Sequence, residues 1–461
     1  PGHATTSWRA NKIMERTKLV GTMGPVSESK EVLRQVIEAG LNVVRMNFSH
    51  GDHEEHLGRL TKVKELNKEL GTNVAIMLDT RGPEMRTNEF ENGAVVIEEG
   101  SEVELVFEEV LGTAKKFSIN YPGLYDDVEV GTTILVDDGY LQTTVIKKDN
   151  ATRTLTVKAL NTHRIKNRRG VNVPNTLINM PFLSQKDIDD IVFGAKNDVD
   201  FIAASFVQTK ENVEEIKALL AKHNASHIQV VAKIENQAGV DNIDEILEVV
   251  DGIMYARGDL GVESLPEELP HIQKDIVEKT RAAGKYVIVA TQMVESMQNN
   301  PVPTRAEVSD VANAVYDGAD SVMLSGEMAA GKYPVEAVKM MKRIVKATEK
   351  HVDYQDYLFP TYSGNEDLDN LGFAAKVSAS LYDVKAIVTD SYELTKQIAK
   401  YRPEAVVIPH LEAGDARKAY ALFNVYPVVG NLDKLDLTKA NLEKEDKYLV
   451  VTNEGLKIQT I

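Results

Sequence analysis

The chain has 461 residues, of which 43% are hydrophobic, and its 53 Lys and Arg against 70 Asp and Glu give a formal net charge of −17. A chain of this length is expected to form two or three domains. The acidic balance disfavours a general binder of nucleic acid or anionic membranes, because such proteins need a basic face. The absence of cysteine excludes disulfides, zinc–thiolate sites and thiol nucleophiles.

The sequence also lacks the signals of a membrane or exported protein. No apolar run approaches the ~20 residues needed to span a bilayer. The first residues, Pro1–Asn11, have neither an apolar signal-peptide core nor an Arg-rich amphipathic pattern. We therefore expect a flexible leader over residues 1–16, in a soluble cytoplasmic protein with no nucleic-acid or membrane partner.

Eight short apolar runs predict the strands of the fold. Each ends in a small, polar or charged residue, and amphipathic stretches of helical length separate almost all of them, which is typical of a parallel α/β structure. Eight such units fit a closed (β/α)8 TIM barrel, in which polar residues at the strand carboxyl ends meet at one mouth. The runs are Leu19–Thr22, Val43–Asn47, Ala75–Asp79, Phe201–Ser205, Val230–Glu235, Gly252–Asp259, Val287–Gln292 and Val322–Glu327.

Between the third and fourth runs, over about residues 87–179, the pattern changes to short alternating segments. Examples are Ala94–Ile97 and Thr133–Val136, with turn residues such as Asp137-Asp138-Gly139 between such segments. Alternation with Asp-Gly turns predicts an all-β insert. Because βα loops lie on the catalytic face of a barrel, an insert after the third strand would form a lid over the mouth.

Helical patterns follow the later barrel strands, and several begin with Ser, Thr, Asp or Pro. They are Ser184–Lys196, Lys210–His223, Asp241–Val249, Pro266–Ala283, Thr304–Tyr316 and Pro334–Lys350. The stretch His351–Leu371 predicts a linker, and the strand–helix alternation beyond it predicts a small open α/β domain. The expected domains are a barrel catalytic domain (17–86 and 180–350), a β-barrel-like lid (87–179) and a C-terminal α/β domain for regulation or oligomerisation (351–461).

The strongest chemical signal is Lys233-Ile-Glu-Asn-Gln237 at the end of the fifth strand. Lys233 and Glu235 point to the same face, and a structural ion pair is one interpretation of them. The next strand ends near Asp259, where this carboxylate and Glu235 could share a divalent cation. Two carboxylates are typical of Mg²⁺, which takes its other ligands from water and substrate oxygens. Gly258 would let the backbone approach a ligand closely.

The second and third strands predict a site for phosphate and for a monovalent cation. Arg45, Asn47 and Ser49 alternate onto one face, which gives a guanidinium suited to phosphate and two oxygen ligands. Asp79 can complete an oxygen cage with one carboxylate and several neutral oxygens, which suits a monovalent ion. Helix capping is the alternative role for Asn47 and Ser49, and an ordinary loop position is the alternative for His50.

Basic residues mark both boundaries of the insert, with Arg86 at the first and Arg168-Arg169 near the second. A pair of cations there suits a nucleotide polyphosphate, although Arg168-Arg169 alone is also typical of a solvated charge cluster. Thr291, at the end of the seventh predicted strand, could hydrogen-bond a water that delivers a proton, or simply fill the barrel. Together these groups favour phosphoryl transfer.

The motifs, in this order and spacing from about residue 17 to about residue 426, resemble the pyruvate kinase family. The motifs that carry the resemblance are Met46-Asn-Phe-Ser-His-Gly51, Leu78-Asp-Thr-Arg-Gly-Pro-Glu84, Gly170-Val-Asn-Val-Pro174, Lys233-Ile-Glu-Asn-Gln237, Met254-Tyr-Ala-Arg-Gly-Asp-Leu-Gly261, Ala290-Thr-Gln-Met293, Pro303-Thr-Arg-Ala-Glu307 and Met323-Leu-Ser-Gly-Glu327. The resemblance implies transfer of the phosphoryl group of phosphoenolpyruvate to ADP, giving pyruvate and ATP, in a homotetramer.

The resemblance also implies roles for individual residues. Arg45 would hold the transferring phosphoryl group, and Lys233 would neutralise charge between it and the developing enolate. Glu235 and Asp259 would hold Mg²⁺, with the Gly258–Asp259 backbone near the substrate carboxylate. Thr291 would support the water that protonates the enolate.

A second group of implied roles concerns K⁺ and the nucleotide. K⁺ would be held by Asn47, Ser49, Asp79 and the carbonyl of Thr80. Glu84 marks the position that is acidic in potassium-dependent members, so K⁺ dependence is expected. The nucleotide-facing positions are Asn47, His50, Arg86 and Arg169.

The C-terminal domain departs from the family pattern at its effector loop, Thr389-Asp-Ser-Tyr-Glu-Leu-Thr395. Tyr392 occupies the position of a glycine and would block close backbone approach, while Asp390 and Glu393 would repel a phosphate. We predict that sugar phosphates and AMP do not activate through this loop. Smaller departures are Arg81 and Arg169 in place of lysines.

Two other functions stay open. A Mg²⁺-dependent aldolase would use Glu235 and Asp259 alone, but it explains neither the β insert nor the oxygen cage around Asp79. A non-catalytic scaffold on the same fold is disfavoured because Arg45, Lys233 and the other expected site residues are all present.

Overall fold

The computed structural model of the chain describes residues 14–356 and 366–461. The predicted leader therefore lies outside the described residues except for its end, where the backbone N–H of Arg16 donates to Glu349 Oε2 at 2.9 Å. Within those two ranges, no helix combines the length and the apolar character that a membrane span requires.

The strands of the described residues are numbered here in chain order. They are β1 (Lys18–Met23), β2 (Val43–Asn47), β3 (Ala75–Asp79), β4 (Met85–Arg86), β5 (Ala94–Ile97), β6 (Glu102–Val106), β7 (Lys116–Ser118), β8 (Thr133–Val136), β9 (Leu141–Asp149), β10 (Thr154–Ala159), β11 (His163–Lys166), β12 (Gly170–Asn172), β13 (Phe201–Ala204), β14 (Gln229–Ile234), β15 (Gly252–Ala256), β16 (Tyr286–Ala290), β17 (Ser321–Leu324), β18 (Val384–Thr389), β19 (Val406–Leu411), β20 (Val428–Val429), β21 (Lys447–Thr452) and β22 (Gly455–Thr460).

The α-helices of the same residues are numbered likewise. They are α1 (Lys30–Glu38), α2 (His53–Leu70), α3 (Leu124–Asp127), α4 (Gln185–Lys196), α5 (Lys210–Lys222), α6 (Gln237–Asp241), α7 (Ile243–Val249), α8 (Arg257–Glu263), α9 (Leu269–Ala282), α10 (Arg305–Asp317), α11 (Gly326–Ala329), α12 (Pro334–Glu349), α13 (Asp367–Leu381), α14 (Tyr392–Lys400) and α15 (Ala413–Ala419).

Eight parallel strands close into a barrel in the order β1-β17-β16-β15-β14-β13-β3-β2. This confirms the predicted (β/α)8 fold. The strands read as continuous apolar runs because both of their faces are buried. Alternate residues separate into two cores: Ile76 and Leu78 pack with the surrounding helices, whereas Ala75 and Met77 belong to the core inside the barrel.

The insert after β3 forms a seven-stranded sheet in the order β4-β12-β8-β9-β10-β6-β7 and a two-stranded sheet of β11 and β5. It has a hydrophobic core of its own, with Val103, Leu141 and Val157 among its fully buried members. This confirms the predicted β insert, which also carries the one-turn helix α3. Arg86 pairs with Gly170 where β4 meets β12, so both boundaries of the insert lie side by side.

The C-terminal residues form a five-stranded sheet in the order β20-β19-β18-β21-β22. Strands β18 to β21 are parallel, and β22 is antiparallel to β21. The sheet unit meets the barrel through Arg417 of α15, whose Nε donates to Asp200 Oδ1 at 3.0 Å.

The predicted linker His351–Leu371 is wrong at its end, because α13 begins at Asp367. Its middle, residues 357–365, lies outside the described residues. Packing explains the early start: Asp369 accepts a hydrogen bond from Lys400 Nζ at 2.9 Å. A Cβ on Gly372 would lie 2.4 Å from the carbonyl oxygen of Gln397, so α13 and α14 are in close contact there. Tertiary contacts thus outweigh a polar, loop-like sequence.

Candidate active site

The alternation of side chains along the barrel strands places one set of polar side chains at the mouth. In a strand, residues two apart share a face. Ala75 and Met77 lie inside the barrel, so Asp79 continues that face at the end of β3. By the same argument Val231 precedes Lys233 and Glu235, and Ala203 precedes Ser205.

Lys233 is the buried cation at the centre of this mouth. Its Nζ lies 2.9 Å from Asp79 Oδ1 and 3.7 Å from Glu235 Oε1, and it donates to Ser205 Oγ at 3.0 Å. Burial by itself lowers the pKa of Lys233, but the carboxylates of Asp79 and Glu235 outweigh it and raise the pKa above its ordinary value. The ammonium group is therefore charged throughout the physiological range.

Arg45 is the second cation, and it shares Asp79 with Lys233. Its Nε donates to Asp79 Oδ2 at 2.6 Å, and its Nη1 donates to Thr22 Oγ1 at 2.9 Å. Burial works to raise the pKa of Asp79, but the charges of Arg45 and Lys233 prevail and lower it. One carboxylate thus holds two cations that flank the same space.

Glu235 and Asp259 form a carboxylate pair beside Lys233. The backbone N–H of Phe206 donates to Glu235 Oε1 at 2.9 Å. Burial raises the pKa of Glu235 well above its ordinary value, and the charge of Asp259 with a hydrogen bond between the two side chains raises it further, against the opposing charge of Lys233. Two carboxylates in contact offer the oxygen ligands that a divalent cation prefers.

The described residues contain no cluster of three or more His, Cys, Asp or Glu side chains suited to a metal ion. Glu235 and Asp259 lie together as a pair of carboxylates, and no third such ligand among those residues completes a cluster with them. A closed zinc-like site built only from protein ligands would need four.

The residues of the expected K⁺ cage lie on neighbouring strands, since Asn47 is paired with Asp79 between β2 and β3. Asn47 Oδ1 accepts from the backbone N–H of Ser49 at 3.1 Å. The alternative of helix capping is wrong for both residues, because the side chain of Asp52 caps α2. Ser205 Oγ donates to the Thr80 carbonyl at 2.6 Å, which ties the cage to Lys233.

A cavity of about 480 Å³ at the mouth brings most of the candidate residues together. It is lined by Arg45, Asn47, Ser49, His50, Arg81, Glu84, Arg86, Arg168, Ser205, Phe206, Lys233, Glu235 and Asp259. A second cavity of about 590 Å³ is shared between the insert and the barrel, and Arg169 and Asp259 are among its lining residues. Arg169 therefore faces a neighbouring space, and Arg168 takes part in the mouth itself.

Two arginines and a glutamate organise the boundary between insert and barrel. Arg86 Nε lies 2.9 Å from Glu84 Oε2, and its Nη1 donates to the Arg168 carbonyl at 2.9 Å. Arg81 Nε is 3.9 Å from the same glutamate oxygen. Glu84 thus holds the cations that line one side of the cavity.

Thr291 lies just beyond β16, so it does not fill the barrel interior as a strand residue. Its Oγ1 accepts from the backbone N–H of Gly258 at 2.7 Å. This contact joins the end of one strand to the first turn of α8, the helix that carries Asp259. Thr291 is not among the residues that line the mouth cavity.

The sequence patterns predict no role for Ser205, Phe206, Thr22 or Arg257. Ser205 ends an apolar run on the interior face, so its position was visible in the pattern. The contacts of Phe206 and Arg257 join distant parts of the chain, and no local pattern signals them.

Fold and site together define a (β/α)8 barrel whose mouth carries buried cations beside paired carboxylates. A family model described as "Pyruvate kinase, barrel domain" matches residues 14–338. The chain belongs to the pyruvate kinase family, and it is a phosphotransferase.

Individual relatives agree with this assignment. The chain is 51% identical to the pyruvate kinase of Geobacillus stearothermophilus over 397 residues, which cover 85% of this chain and 68% of that protein. It is 49% identical to the Bacillus licheniformis pyruvate kinase over 423 residues, covering 90% and 72%. The crystal structure of a pyruvate kinase from Cryptosporidium parvum aligns with a TM-score of 0.92 at 34% identity, covering 98% of this chain and 97% of that one.

Proposed function

We propose that this chain transfers the phosphoryl group of phosphoenolpyruvate to ADP, giving pyruvate and ATP in the last step of glycolysis. A terminal oxygen of ADP forms a bond to phosphorus as the bond between phosphorus and the enol oxygen breaks. The enolate then takes a proton at its methylene carbon and becomes pyruvate. Catalysis of such a transfer is mainly positioning and charge stabilisation.

One observation carries the proposal: the Lys233 ammonium is buried 2.9 Å from Asp79 and 3.7 Å from Glu235. A fixed cation in a site shielded from water stabilises developing negative charge far better than one in solution. We assign Lys233 to the charge shared between the phosphoryl group and the enolate oxygen. Arg45, held by Asp79 at 2.6 Å, binds the phosphoryl oxygens.

We assign Glu235 and Asp259 to the catalytic Mg²⁺. When bound, the ion supplies positive charge and a template for substrate oxygens. The support is the raised pKa of Glu235, caused by burial and by the approach of Asp259. We place the substrate carboxylate near the Gly258–Asp259 segment, and Thr291 near the water that protonates the enolate.

We assign K⁺ to the oxygens of Asn47, Ser49, Asp79 and Thr80. One carboxylate and several neutral oxygens suit a monovalent ion. Glu84 lines the same cavity as Asn47 and Ser49, so the expected acidic residue lies on the side of the mouth that carries the cage. Dependence on K⁺ follows from this proposal.

The nucleotide is proposed to lie on the side of the mouth that faces the insert. Asn47, His50 and Arg86 line the mouth cavity there, and Arg169 follows on the adjoining one. Guanidinium groups on both sides of the insert boundary suit a polyphosphate. Movement of the insert as a lid would bring them onto the bound nucleotide.

The proposal extends to organisation and location. We propose a catalytic barrel over 17–86 and 180–350, a lid over 87–179 and a C-terminal regulatory or oligomerisation domain over 351–461. We propose a homotetramer in the cytoplasm.

A coupled assay tests the function directly. Pyruvate formation from phosphoenolpyruvate and ADP is followed by its reduction with lactate dehydrogenase and NADH, with and without Mg²⁺ and K⁺. We expect activity that needs Mg²⁺ and rises with K⁺. Absence of pyruvate under all conditions contradicts the proposal. Cleavage of a 4-hydroxy-2-oxo acid in its place would favour the aldolase, and no reaction with either substrate would favour the scaffold.

A further inference from the structure

The turn that follows β16 has an unusual backbone. Thr291 has φ +75° and the next residue, Gln292, has φ +57°. Left-handed φ values are uncommon in residues other than glycine, and for a β-branched residue such as threonine they mark a true outlier. Two successive residues in this state persist only where surrounding contacts enforce it.

Arg257, the first residue of α8, supplies those contacts. Its Nε donates to the carbonyl of Ala290 at 3.2 Å, and its Nη2 donates to the carbonyl of Thr291. Nη2 also lies 3.0 Å from the Met293 sulfur. The guanidinium group therefore holds the carbonyl groups on both sides of the Thr291 nitrogen and Cα.

Gly258, the residue after Arg257, contacts the side chain of the same threonine. The Gly258 N–H donates to Thr291 Oγ1 at 2.7 Å. Two adjacent residues thus fix Thr291 at its carbonyl and at its hydroxyl. The position of this hydroxyl relative to the first turn of α8, which carries Asp259, depends on both contacts.

Asp310 of α10 holds the guanidinium group from the opposite direction, since Nη1 donates to its carboxylate. The side chain of Arg257 is 13% exposed and that of Asp310 is 31% exposed. A charge buried to this degree needs a partner. Lysine cannot replace this arrangement, because the guanidinium group spreads its donors over three nitrogens that reach separate partners, whereas an ammonium group carries all of its donors on one atom.

We propose that Arg257 is a positioning residue for Thr291: it enforces the left-handed turn and thereby sets the hydroxyl that serves proton delivery to the enolate. The inference rests on the proposed function, because it assigns a cause to the geometry of one group in that reaction. It predicts damage to the proton-transfer step that exceeds the damage to phosphoenolpyruvate binding.

The test compares Arg257→Lys with the wild-type chain and with Arg343→Lys, a control at an exposed position of α12. Two rates are measured: pyruvate formation in the coupled assay, and exchange of pyruvate methyl hydrogens with D₂O by NMR in the presence of ATP, Mg²⁺ and K⁺. A misplacement of about 1 Å costs up to about 100-fold in rate. We expect Arg257→Lys to lower kcat and the exchange rate by about 10-fold or more, with the KM for phosphoenolpyruvate changed by less than about threefold.

A rescue separates positioning from a general structural role. Gln292→Gly removes the cost of the left-handed conformation at Gln292, and alone it should leave activity near the wild-type value. In the Arg257→Lys background it should restore part of the lost exchange rate. Asp310→Asn loosens the guanidinium group without removing it. It should lower kcat and the exchange rate by less than Arg257→Lys does, again with little change in the KM for phosphoenolpyruvate.

A readout without turnover accompanies the rates. Hydrogen exchange measured by mass spectrometry over the segment that contains Gly258 should show faster exchange in Arg257→Lys, because Thr291 Oγ1 no longer stays in place to accept this N–H. Exchange elsewhere in the barrel should match that of the control variant.

Specific outcomes overturn the inference. It fails if Arg257→Lys keeps both rates within about twofold of wild type, if KM rises as much as kcat falls, or if Gln292→Gly restores nothing. An inactive wild-type chain would overturn the proposed function and this inference with it. An active wild type with an unaffected Arg257→Lys variant would overturn the inference alone.

Discussion

Replacement of Lys233 by methionine is the most informative single change in the barrel mouth. Methionine keeps an unbranched side chain of similar length but removes the ammonium group. The wild-type Nζ lies 2.9 Å from Asp79 Oδ1 and accompanies Arg45 on the same carboxylate. Because Arg45 remains on Asp79, that carboxylate keeps a partner in the variant.

The expected loss follows from Coulomb's law. A substrate charge about 4 Å from the ammonium group gains about 4 kcal/mol at an effective dielectric constant of about 20. A change of that size in the barrier corresponds to a rate factor of about 10³. We therefore expect kcat for pyruvate formation to fall by about 10³-fold or more, while metal binding by Glu235 and Asp259 is largely kept.

The coupled pyruvate assay measures this loss, with thermal unfolding followed by circular dichroism as the check on folding. Lys222→Met, at an exposed position of α5, is the matched control and should behave as wild type. Lys233→Arg tests geometry at constant charge and should also be strongly impaired. Near-normal turnover in a folded Lys233→Met variant would refute the assigned mechanism.

Three further predictions concern K⁺, pH and effectors. Glu84→Lys places a cation beside the oxygen cage, so activation by K⁺ in the initial-rate assay should largely disappear; an unchanged K⁺ titration would count against the cage. Burial raises the pKa of Asp200 to about 6, so the folded state binds this proton more tightly than the unfolded state. The contribution of Asp200 to stability therefore falls as pH rises from 4 to 7, by about 3 kcal/mol. In Asp200→Asn, the free energy of unfolding measured with urea should depend less on pH over that range than in the wild type. The same pH dependence in both proteins would contradict this. Fructose bisphosphate, ribose 5-phosphate and AMP should leave the phosphoenolpyruvate saturation curve unchanged, because Asp390 and Glu393 would repel a phosphate and Tyr392 stands where a glycine would allow close backbone approach; a left-shifted curve would overturn this.

Much of the fold follows from local patterns. The eight barrel strands are apolar runs bounded by polar residues, and helix starts such as Ser184 and Thr304 are visible because their side chains cap α4 and α10. The end of the predicted linker failed because the start of α13 is stabilised by a contact between Asp369 and Lys400. Local composition does not encode a contact of that sequence separation.

The candidate site was predictable where the alternation of side chains along a strand determines which residues face the barrel interior. Lys233, Glu235 and Asp79 share the interior face at the strand ends. In the structure, Asp79 and Glu235 both lie within ion-pair distance of the Lys233 ammonium group. The supporting contacts were not predictable, because Ser205 and Arg257 act through partners far away in the chain. Side-chain networks between strands follow from the closed barrel rather than from the spacing of any motif.

The central physical claim is that one divalent ion binds between Glu235 and Asp259. Electron paramagnetic resonance of Mn²⁺, titrated into the chain in the presence of phosphoenolpyruvate, measures this directly, with Glu267→Gln at an exposed position as control. We predict one tight site in the wild-type and control chains, weakened by about 10-fold or more in Glu235→Gln and in Asp259→Asn. Mn²⁺ affinity that is the same in all four proteins would contradict the account.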